Sequence, residues 1–141
     1  MNKAIIFVIE DDPLAQAGIR ALLDDTHDLA FTKAPAESDI EQSLCDAKPD
    51  LVLFGLHITK TRNQFLLRKI ALQFRVLVFS DEDETLHAED TLRAGARGYI
   101  MKEESPEILL KAIRTTLAGN LHLSDKMKSH FFQRIAANGS A

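Results

Sequence analysis

The chain has 141 residues, of which 45% are hydrophobic and 27% charged, and its formal net charge is −4 at pH 7. This composition is typical of one globular domain and excludes a disordered chain. The negative charge argues against a chain that wraps nucleic acid by itself, because phosphate contacts need a surplus of Lys and Arg. Cys45 is the single cysteine, which excludes an internal disulfide and indicates a reducing compartment.

The sequence also indicates a cytoplasmic protein. Its longest apolar run, Ala4–Ile9, is too short to span a membrane, and no signal peptide pattern precedes it. We expect Cys45 to be a small buried hydrophobic residue, since it lies on a predicted amphipathic helix with no His-rich partner segment.

The first predicted elements alternate between strand and helix. Ala4–Ile9 is a continuous apolar run, as in a central parallel strand covered on both faces. A helix follows at Pro13, with Asp12 as its N-cap. Leu29–Thr32 is a shorter and more polar strand. Ala36–Ala47 is predicted as a helix with apolar residues along one side.

The alternation continues through the second half of the chain. An apolar strand is predicted at Leu51–Phe54, a helix at Phe65–Leu72 and a strand at Val76–Phe79. A helix at Glu84–Ala94 and a strand at Gly98–Met101 come next. Repeated strand–helix units imply right-handed crossovers and a parallel sheet with helices on both faces.

Two helices are predicted at the C-terminal end. Ser105 and Pro106 begin the first, as N-cap and first-turn residue, and Gly119 ends it. The second runs from Ser124 to about Ala136, with boundaries good to about two to four residues. On this last helix an apolar stripe is formed by Met127, Phe131 and Ile135, with Phe132 beside it. The stripe packs against the domain itself or against a partner.

Four strand ends carry the residues of interest. Ligands of such sheets bind at the carboxyl ends of the strands. The residues found there are Glu10, Asp11, Gly55, Ser80 and Lys102. Alone, the acidic pair would be helix-capping groups, the serine a turn residue and the lysine a surface charge. Their convergence depends on the fold, so the combined pattern is more specific than any single motif.

Residues 4 to about 119 resemble the receiver domain of bacterial two-component response regulators. The spacing of the Glu10-Asp11 acid pair, Ser80 and Lys102 matches that family, and the block from Ala94 to Lys102 is similar to its NarL/FixJ/LuxR-type subgroup. The resemblance implies a flavodoxin-like (CheY-like) α/β fold. Its doubly wound five-stranded parallel sheet has the strand order 2-1-3-4-5, and an extra C-terminal helix follows.

The sequence departs from the family at its central residue. Gly55 stands where the family has its phospho-accepting aspartate, and the next loop, residues 56–63, lacks the usual Pro and Gly. Several changes in one loop favour natural decay of the site. The resemblance therefore implies a degenerate phosphorylation site made of Glu10, Asp11, Gly55, Ser80 and Lys102. Glu10 and Asp11 would hold Mg²⁺ weakly at best, and no other cofactor is expected.

Three side chains carry more specific expectations. We expect Lys102 to form an ion pair with Glu10 or Asp11. The resemblance makes Tyr99 the switch aromatic of the family, here fixed in one state. We expect His57 to be a solvated loop residue rather than a replacement phospho-acceptor or metal ligand, because no second His lies at ligand spacing.

The predicted function follows from these expectations. A receiver domain is expected over residues 1–120, and a C-terminal helix or linker over 121–141. In the NarL-like subgroup this linker leads to a helix-turn-helix DNA-binding domain, and none follows here, so we expect a truncated chain or a stand-alone relative. We predict a non-enzymatic, phosphorylation-independent pseudo-receiver that regulates or dimerises a LuxR-type transcription regulator.

Two alternative functions stay open, and the partners follow from the prediction. One alternative is a stand-alone signalling adaptor. The other is a receiver gated by a small ligand, although the chain has no Trp and no Arg cluster to clamp a purine. We expect a homodimer that contacts DNA only through the separate domain and does not bind a membrane. A sensor kinase is a doubtful partner without an acceptor aspartate.

Overall fold

The computed structural model describes residues 2–35 and 39–139. The strands are β1 (Ala4–Ile9), β2 (Leu29–Thr32), β3 (Leu51–Phe54), β4 (Val76–Ser80) and β5 (Gly98–Met101). The helices are α1 (Pro13–Asp24), α2 (Ile40–Ala47), α3 (Thr61–Ala71), α4 (Glu84–Arg93), α5 (Pro106–Leu117) and α6 (Asp125–Gly139). All neighbouring strands are parallel and stand in the order β2-β1-β3-β4-β5, which confirms the predicted fold and the extra C-terminal helix.

Two hydrophobic clusters cover the two faces of the sheet. On one face, alternate residues such as Phe7 and Val52 pack against α2, α3, α4 and α6. On the other face, residues such as Ile6 and Leu53 pack against α1 and α5. Both faces of the central strands are therefore buried, and this is why those strands are continuous apolar runs rather than alternating ones.

The predicted caps of α1 and α5 are present. The Asp12 carboxylate accepts a hydrogen bond from the Leu14 N–H at 3.0 Å, and the Ser105 hydroxyl accepts one from the Ile108 N–H at 3.3 Å. These bonds satisfy helix N–H groups that have no partner within the helix. Asp12 is thus the N-cap of α1, whereas Glu10 is buried and Asp11 is exposed.

The start of α2 differs from the prediction of a helix from Ala36. The helix begins at Ile40, because Asp39 is extended and its carboxylate accepts hydrogen bonds from the N–H groups of Glu41 and Gln42. Residues 36–38 lie outside the described part of the chain. The expected buried position of Cys45 is wrong: the thiol is exposed. Leu44 is the buried residue, and its neighbour points about 100° away on the helix.

The start of α3 lies at Thr61, four residues before the predicted Phe65. The first turn has no apolar residue to give a helical period, so sequence periodicity missed it. Its order comes from polar side chains that reach back into the preceding loop. The Asn63 amide donates to the His57 carbonyl, and the Gln64 amide donates to the Ile58 carbonyl, each at 2.8 Å.

The residues after α5 extend the structure beyond β5. His122 pairs with the edge of β5: its N–H donates to the Arg97 carbonyl and its carbonyl accepts from the Tyr99 N–H. α6 then packs along α4, with Met127 buried in the same cluster as Tyr99. The apolar stripe is divided, because Phe132 and Ile135 are 75% and 70% exposed. Among the described residues, no helix is long and apolar enough to cross a membrane.

Candidate functional site

The register of the sheet brings the predicted site residues to one edge. Ile9 pairs with Phe54, so Glu10 and Gly55 follow side by side, and the Gly55 N–H donates to the Ile9 carbonyl at 2.7 Å. On the other side of β3, the Lys102 N–H donates to the Ser80 carbonyl at 2.7 Å. Four of the five predicted positions therefore surround the carboxyl end of β3, while the Asp11 side chain is exposed.

The space beside Gly55 is filled by the side chain of Glu10. A Cβ atom at residue 55 would lie 3.1 Å from the Glu10 Cδ, 3.2 Å from the Ile9 carbonyl oxygen, and closer still to the Glu10 Oε2, well inside van der Waals contact. Glycine is thus the residue type that lets the Glu10 carboxylate lie over the end of β3. The side chain of Glu10 is 0% exposed there.

Two hydrogen bonds hold the Oε1 atom and the backbone carbonyl of Glu10. Its Oε1 accepts a hydrogen bond from the Asp12 N–H at 3.1 Å, and its carbonyl accepts one from the Gln16 side-chain amide. The buried carboxylate is therefore held by the turn that leads into α1.

The Lys102 ammonium neutralises this carboxylate. Its Nζ lies 2.9 Å from the Glu10 Oε2 and donates a hydrogen bond to the Gly55 carbonyl at 3.1 Å. The contact with Oε2 is an ion pair outside hydrogen-bond geometry, since no donor in the described part of the chain is aligned on that atom. The ammonium also lies 5.5 Å from the centre of the Phe79 ring. This confirms the ion pair expected between Lys102 and the acid pair, with Glu10 as its member.

The groups at this edge do not match the donor set that Mg²⁺ prefers. Mg²⁺ needs near-octahedral oxygen ligands, and proteins bind it through carboxylates that keep several waters. Here the Glu10 Oε2 and the Gly55 carbonyl both face the Lys102 ammonium, and residue 55 supplies no side-chain oxygen. A cation at this place would compete with the lysine.

Ser80 and Tyr99 are buried beside this edge and are tied to the loop after β4. The Ser80 hydroxyl accepts a hydrogen bond from the Glu82 N–H at 3.0 Å, and the Tyr99 hydroxyl donates one to the Glu82 carbonyl at 2.6 Å. Burial raises the pKa of Tyr99 to about 12, and nearby carboxylates add to this against the opposing effect of a hydrogen bond with Ser80. Tyr99 is therefore a neutral, inward-facing donor at physiological pH.

The loop after β3 contains contacts that the sequence did not indicate. His57 is exposed, as expected, but its Nδ1 lies 3.2 Å from the Glu82 Oε1 and 3.8 Å from the Asp81 Oδ1. The other oxygen of Glu82 accepts a hydrogen bond from the Thr59 N–H at 3.2 Å. These residues are far apart in sequence. Only the pairing of β3 with β4 signals that their loops meet.

Comparison with known proteins agrees with the fold. Residues 6–114 match the family model of the response regulator receiver domain. The chain is 28% identical over 141 residues to the nitrate/nitrite response regulator protein NarL of Escherichia coli strain K12, covering 97% of this chain and 65% of that protein. The chain thus spans slightly under two thirds of the length of this relative.

Two solved structures show the same fold. One is a LuxR-family two-component response regulator from Aurantimonas sp. SI85-9A1, with a TM-score of 0.79, 23% identity and coverage of 96% of this chain and 99% of that one. The other is the BeF3-activated receiver domain of RstA from Klebsiella pneumoniae, with a TM-score of 0.69, 30% identity and coverage of 82% and 98%. The chain belongs to the response regulator receiver domain family, with LuxR-family response regulators among its relatives.

Proposed function

We propose that this chain is a pseudo-receiver whose regulatory state does not depend on phosphorylation. A receiver needs a carboxylate nucleophile and a cation that neutralises the oxygens of the transferred phosphoryl group. Residue 55 has no side-chain oxygen. The observation that carries the proposal is the position of Glu10, whose carboxylate lies in the space that the nucleophile would need.

The charge balance of the edge supports the same proposal. In the receiver family a lysine at the position of Lys102 binds the phosphoryl group. Here its ammonium already has an anionic partner in Glu10 and a carbonyl partner in Gly55. The buried carboxylate and the ammonium together form a neutral arrangement within the chain itself. We propose that Mg²⁺ binds this arrangement weakly at best.

The proposed fixed state extends to the switch aromatic. Tyr99 is 1% exposed and its hydroxyl donates to the Glu82 carbonyl, while His122 and α6 cover the outer side of β5 and α4. To turn outward, Tyr99 would have to break this hydrogen bond and displace packed side chains. We propose that it stays inward irrespective of phospho-donors.

The relatives extend the proposal to transcription regulation. The proteins compared above include LuxR-family and nitrate/nitrite response regulators. We propose that this chain is the dimerising and regulatory part of a LuxR-type regulator and that a separate domain contacts DNA. Two surfaces are considered for the dimer: α1 with α5, and α4 with β5 and its neighbours. Because α6 already lies along α4, we favour α1 with α5, where Leu14 is 80% exposed.

Incubation with acetyl phosphate and Mg²⁺ tests the proposal. Intact mass spectrometry should show no added phosphoryl group, and the BeF₃⁻ ion should leave the backbone NMR spectrum unchanged. A receiver domain with its aspartate in place serves as the positive control. A phosphorylated species mapped to Asp11, Asp12 or another carboxylate near the end of β3 would overturn the proposal.

A further inference from the structure

Three potential metal ligands meet where the loops after β3 and β4 approach each other. They are His57 from the first loop, and Asp81 and Glu82 from the second. One ligand atom from each residue lies within 4.8 Å of the other two. None of the three belongs to the degenerate phosphorylation site, so their convergence needs a separate explanation.

The distances suit one shared cation. Ligand atoms bound at about 2.0–2.2 Å to the same ion stand about 2.8–3.1 Å apart in octahedral geometry and about 3.3–3.6 Å apart in tetrahedral geometry. The His57 Nδ1 is 3.2 Å from the Glu82 Oε1 and 3.8 Å from the Asp81 Oδ1. The ligand atoms of Asp81 and Glu82 lie within 4.8 Å of each other, so side-chain rotation has to bring this third pair to bonding distance of one ion. The set contains an imidazole nitrogen, which suits Zn²⁺, Co²⁺ or Ni²⁺ better than Mg²⁺.

We propose that His57, Asp81 and Glu82 bind one divalent transition-metal ion, with water completing its coordination. None of the three ligating side chains belongs to the degenerate phosphorylation site, although the backbone carbonyl of Glu82 is the group that accepts the Tyr99 hydrogen bond. Zn²⁺ binding and phosphoryl transfer are measured separately, so this proposal can fail while the proposed function stands.

The Glu82 ligand is already held in position by its surroundings. Its carboxylate is only 16% exposed and its second oxygen accepts a hydrogen bond from the Thr59 N–H. Its backbone is fixed on both sides, through the Ser80 hydroxyl and the Tyr99 hydroxyl. A ligand held in this way loses little conformational freedom when the ion binds, and such supporting hydrogen bonds strengthen metal sites.

A bound ion would join two loops that flank the degenerate site. The His57 carbonyl accepts from Asn63 at the start of α3, and the Glu82 carbonyl accepts from Tyr99 in β5. The ion would thus connect the beginning of α3 to the contact that holds Tyr99 inward. Without metal, the His57 Nδ1 and the Glu82 Oε1 are within hydrogen-bond distance of each other at 3.2 Å, so the experiment must separate metal binding from this direct contact.

Calorimetry with Zn²⁺ alone is the direct test, carried out on a Cys45→Ser variant because the exposed thiol would itself bind the metal. We expect one saturable equivalent, and Co²⁺ should give a visible absorption spectrum at the same stoichiometry. His57→Ala and Glu82→Gln should each weaken binding at least about tenfold, as even the loss of a supporting partner does in known sites. His27→Ala is the matched control, since His27 is also exposed, and should bind as the parent does.

A further variant and a folding control complete the experiment. Asp81→Asn changes the second carboxylate ligand, in an exposed residue, and should also weaken Zn²⁺ binding; it is included in case Glu82→Gln disturbs the loop around Thr59. Circular dichroism confirms that each variant is folded. Absence of saturable Zn²⁺ binding by the Cys45→Ser chain would overturn the proposal. So would a His57→Ala change in that chain that leaves its affinity for Zn²⁺ unaltered.

Discussion

The Glu10 carboxylate lies in the volume that a Cβ atom of residue 55 would occupy, and its Oε2 faces the ammonium of Lys102 at 2.9 Å. The two positions are coupled through space: glycine at 55 permits this placement of Glu10, and any larger residue forces Glu10 to move. The space beside residue 55 is therefore filled by the carboxylate of Glu10, and the neighbouring lysine balances its charge.

Substitution of Gly55 by alanine tests this coupling without adding a charge. The new methyl group would overlap the Glu10 carboxylate, which must then move out of its buried ion pair. We expect a loss of about 1–3 kcal/mol in the free energy of unfolding, as in other overpacked interiors. Gly18→Ala is the matched control, because nothing lies within 4 Å of a Cβ there and the residue is in α1. That change should stabilise the chain by about 0.5–1 kcal/mol. Equal melting temperatures for the two variants would contradict the coupling.

The ion pair between Glu10 and Lys102 predicts a strongly non-additive pair of substitutions. Lys102→Met leaves a buried carboxylate without its counter-charge, and loss of one partner of such a pair costs about 3–5 kcal/mol. Adding Glu10→Gln should recover part of this loss, because the double variant has no unpaired buried charge. Denaturant unfolding of the parent, both single variants and the double variant measures the coupling energy.

An exposed ion pair supplies the comparison. Arg20 and Asp24 lie one turn apart on α1, with both side chains more than 60% exposed and 3.9 Å between the charged atoms. Arg20→Met should change the free energy of unfolding by less than about 0.5 kcal/mol. If Lys102→Met were equally mild, the Glu10–Lys102 contact would not be a buried ion pair in solution.

The resemblance to receiver domains predicted the order of the strands, and the residues themselves predicted the elements and only part of the site. Apolar runs and caps such as Asp12 and Ser105 are local signals, and they gave the sheet and the helix starts of α1 and α5. The placement of Glu10 over Gly55 depends on side-chain packing across two strands, which periodicity does not report. The contacts of His57 were missed for the same reason, since its partners follow the neighbouring strand. Cys45 was misplaced because adjacent positions of one helix differ in burial.

The raised pKa of Tyr99 predicts a decrease in the free energy of unfolding at alkaline pH. Its pKa in the folded chain is raised to about 12, from an ordinary value of 10.0. Between these values the folded state retains a proton that the unfolded state loses, so the free energy of unfolding falls as pH rises from about 10 to about 12. Below about pH 10 the stabilising contribution of the protonated Tyr99 to the free energy of unfolding is fully present.

The measurement of this titration is simple, because the chain has one Tyr and no Trp. Phenolate absorbance of the folded chain should titrate near pH 12, and that of the chain in denaturant near pH 10. Tyr99→Phe should remove this tyrosine contribution to the pH dependence and cost about 1 kcal/mol at neutral pH through the lost hydrogen bond to Glu82. A folded-state midpoint near pH 10 would show that the hydroxyl is not buried.

The proposed dimer predicts different effects for two exposed apolar residues. If α1 and α5 form the interface, Leu14→Glu should shift the chain toward monomer in sedimentation velocity, while Phe132→Glu on α6 should leave the dimer intact. Leu14 is 80% exposed and Phe132 is 75% exposed, so neither change should unfold the chain. The opposite pattern would place the interface at α6, and a concentration-independent monomer of the parent would contradict dimerisation.

Substitution of Gly55 by aspartate tests whether the carboxylates of this edge converge on residue 55. The new side chain must displace Glu10, and it adds a negative charge beside the Glu10 carboxylate. Both effects destabilise the metal-free fold, the second through repulsion between like charges. The same change supplies the missing anionic ligand, so Mg²⁺ should bind and offset part of the loss.

We therefore expect the Gly55→Asp variant to melt below the parent without Mg²⁺ and to recover more than the parent when Mg²⁺ is added. EDTA-treated samples without Mg²⁺ give the baseline melting temperature. Addition of acetyl phosphate tests whether the new carboxylate accepts a phosphoryl group. Gly55→Asn is the matched control, because it has nearly the same size as the aspartate and overlaps Glu10 in the same way but has no charge. Its melting temperature should fall through overlap alone and should not respond to Mg²⁺. If the aspartate and asparagine variants respond alike to Mg²⁺, residue 55 does not lie among the metal-binding carboxylates of this edge.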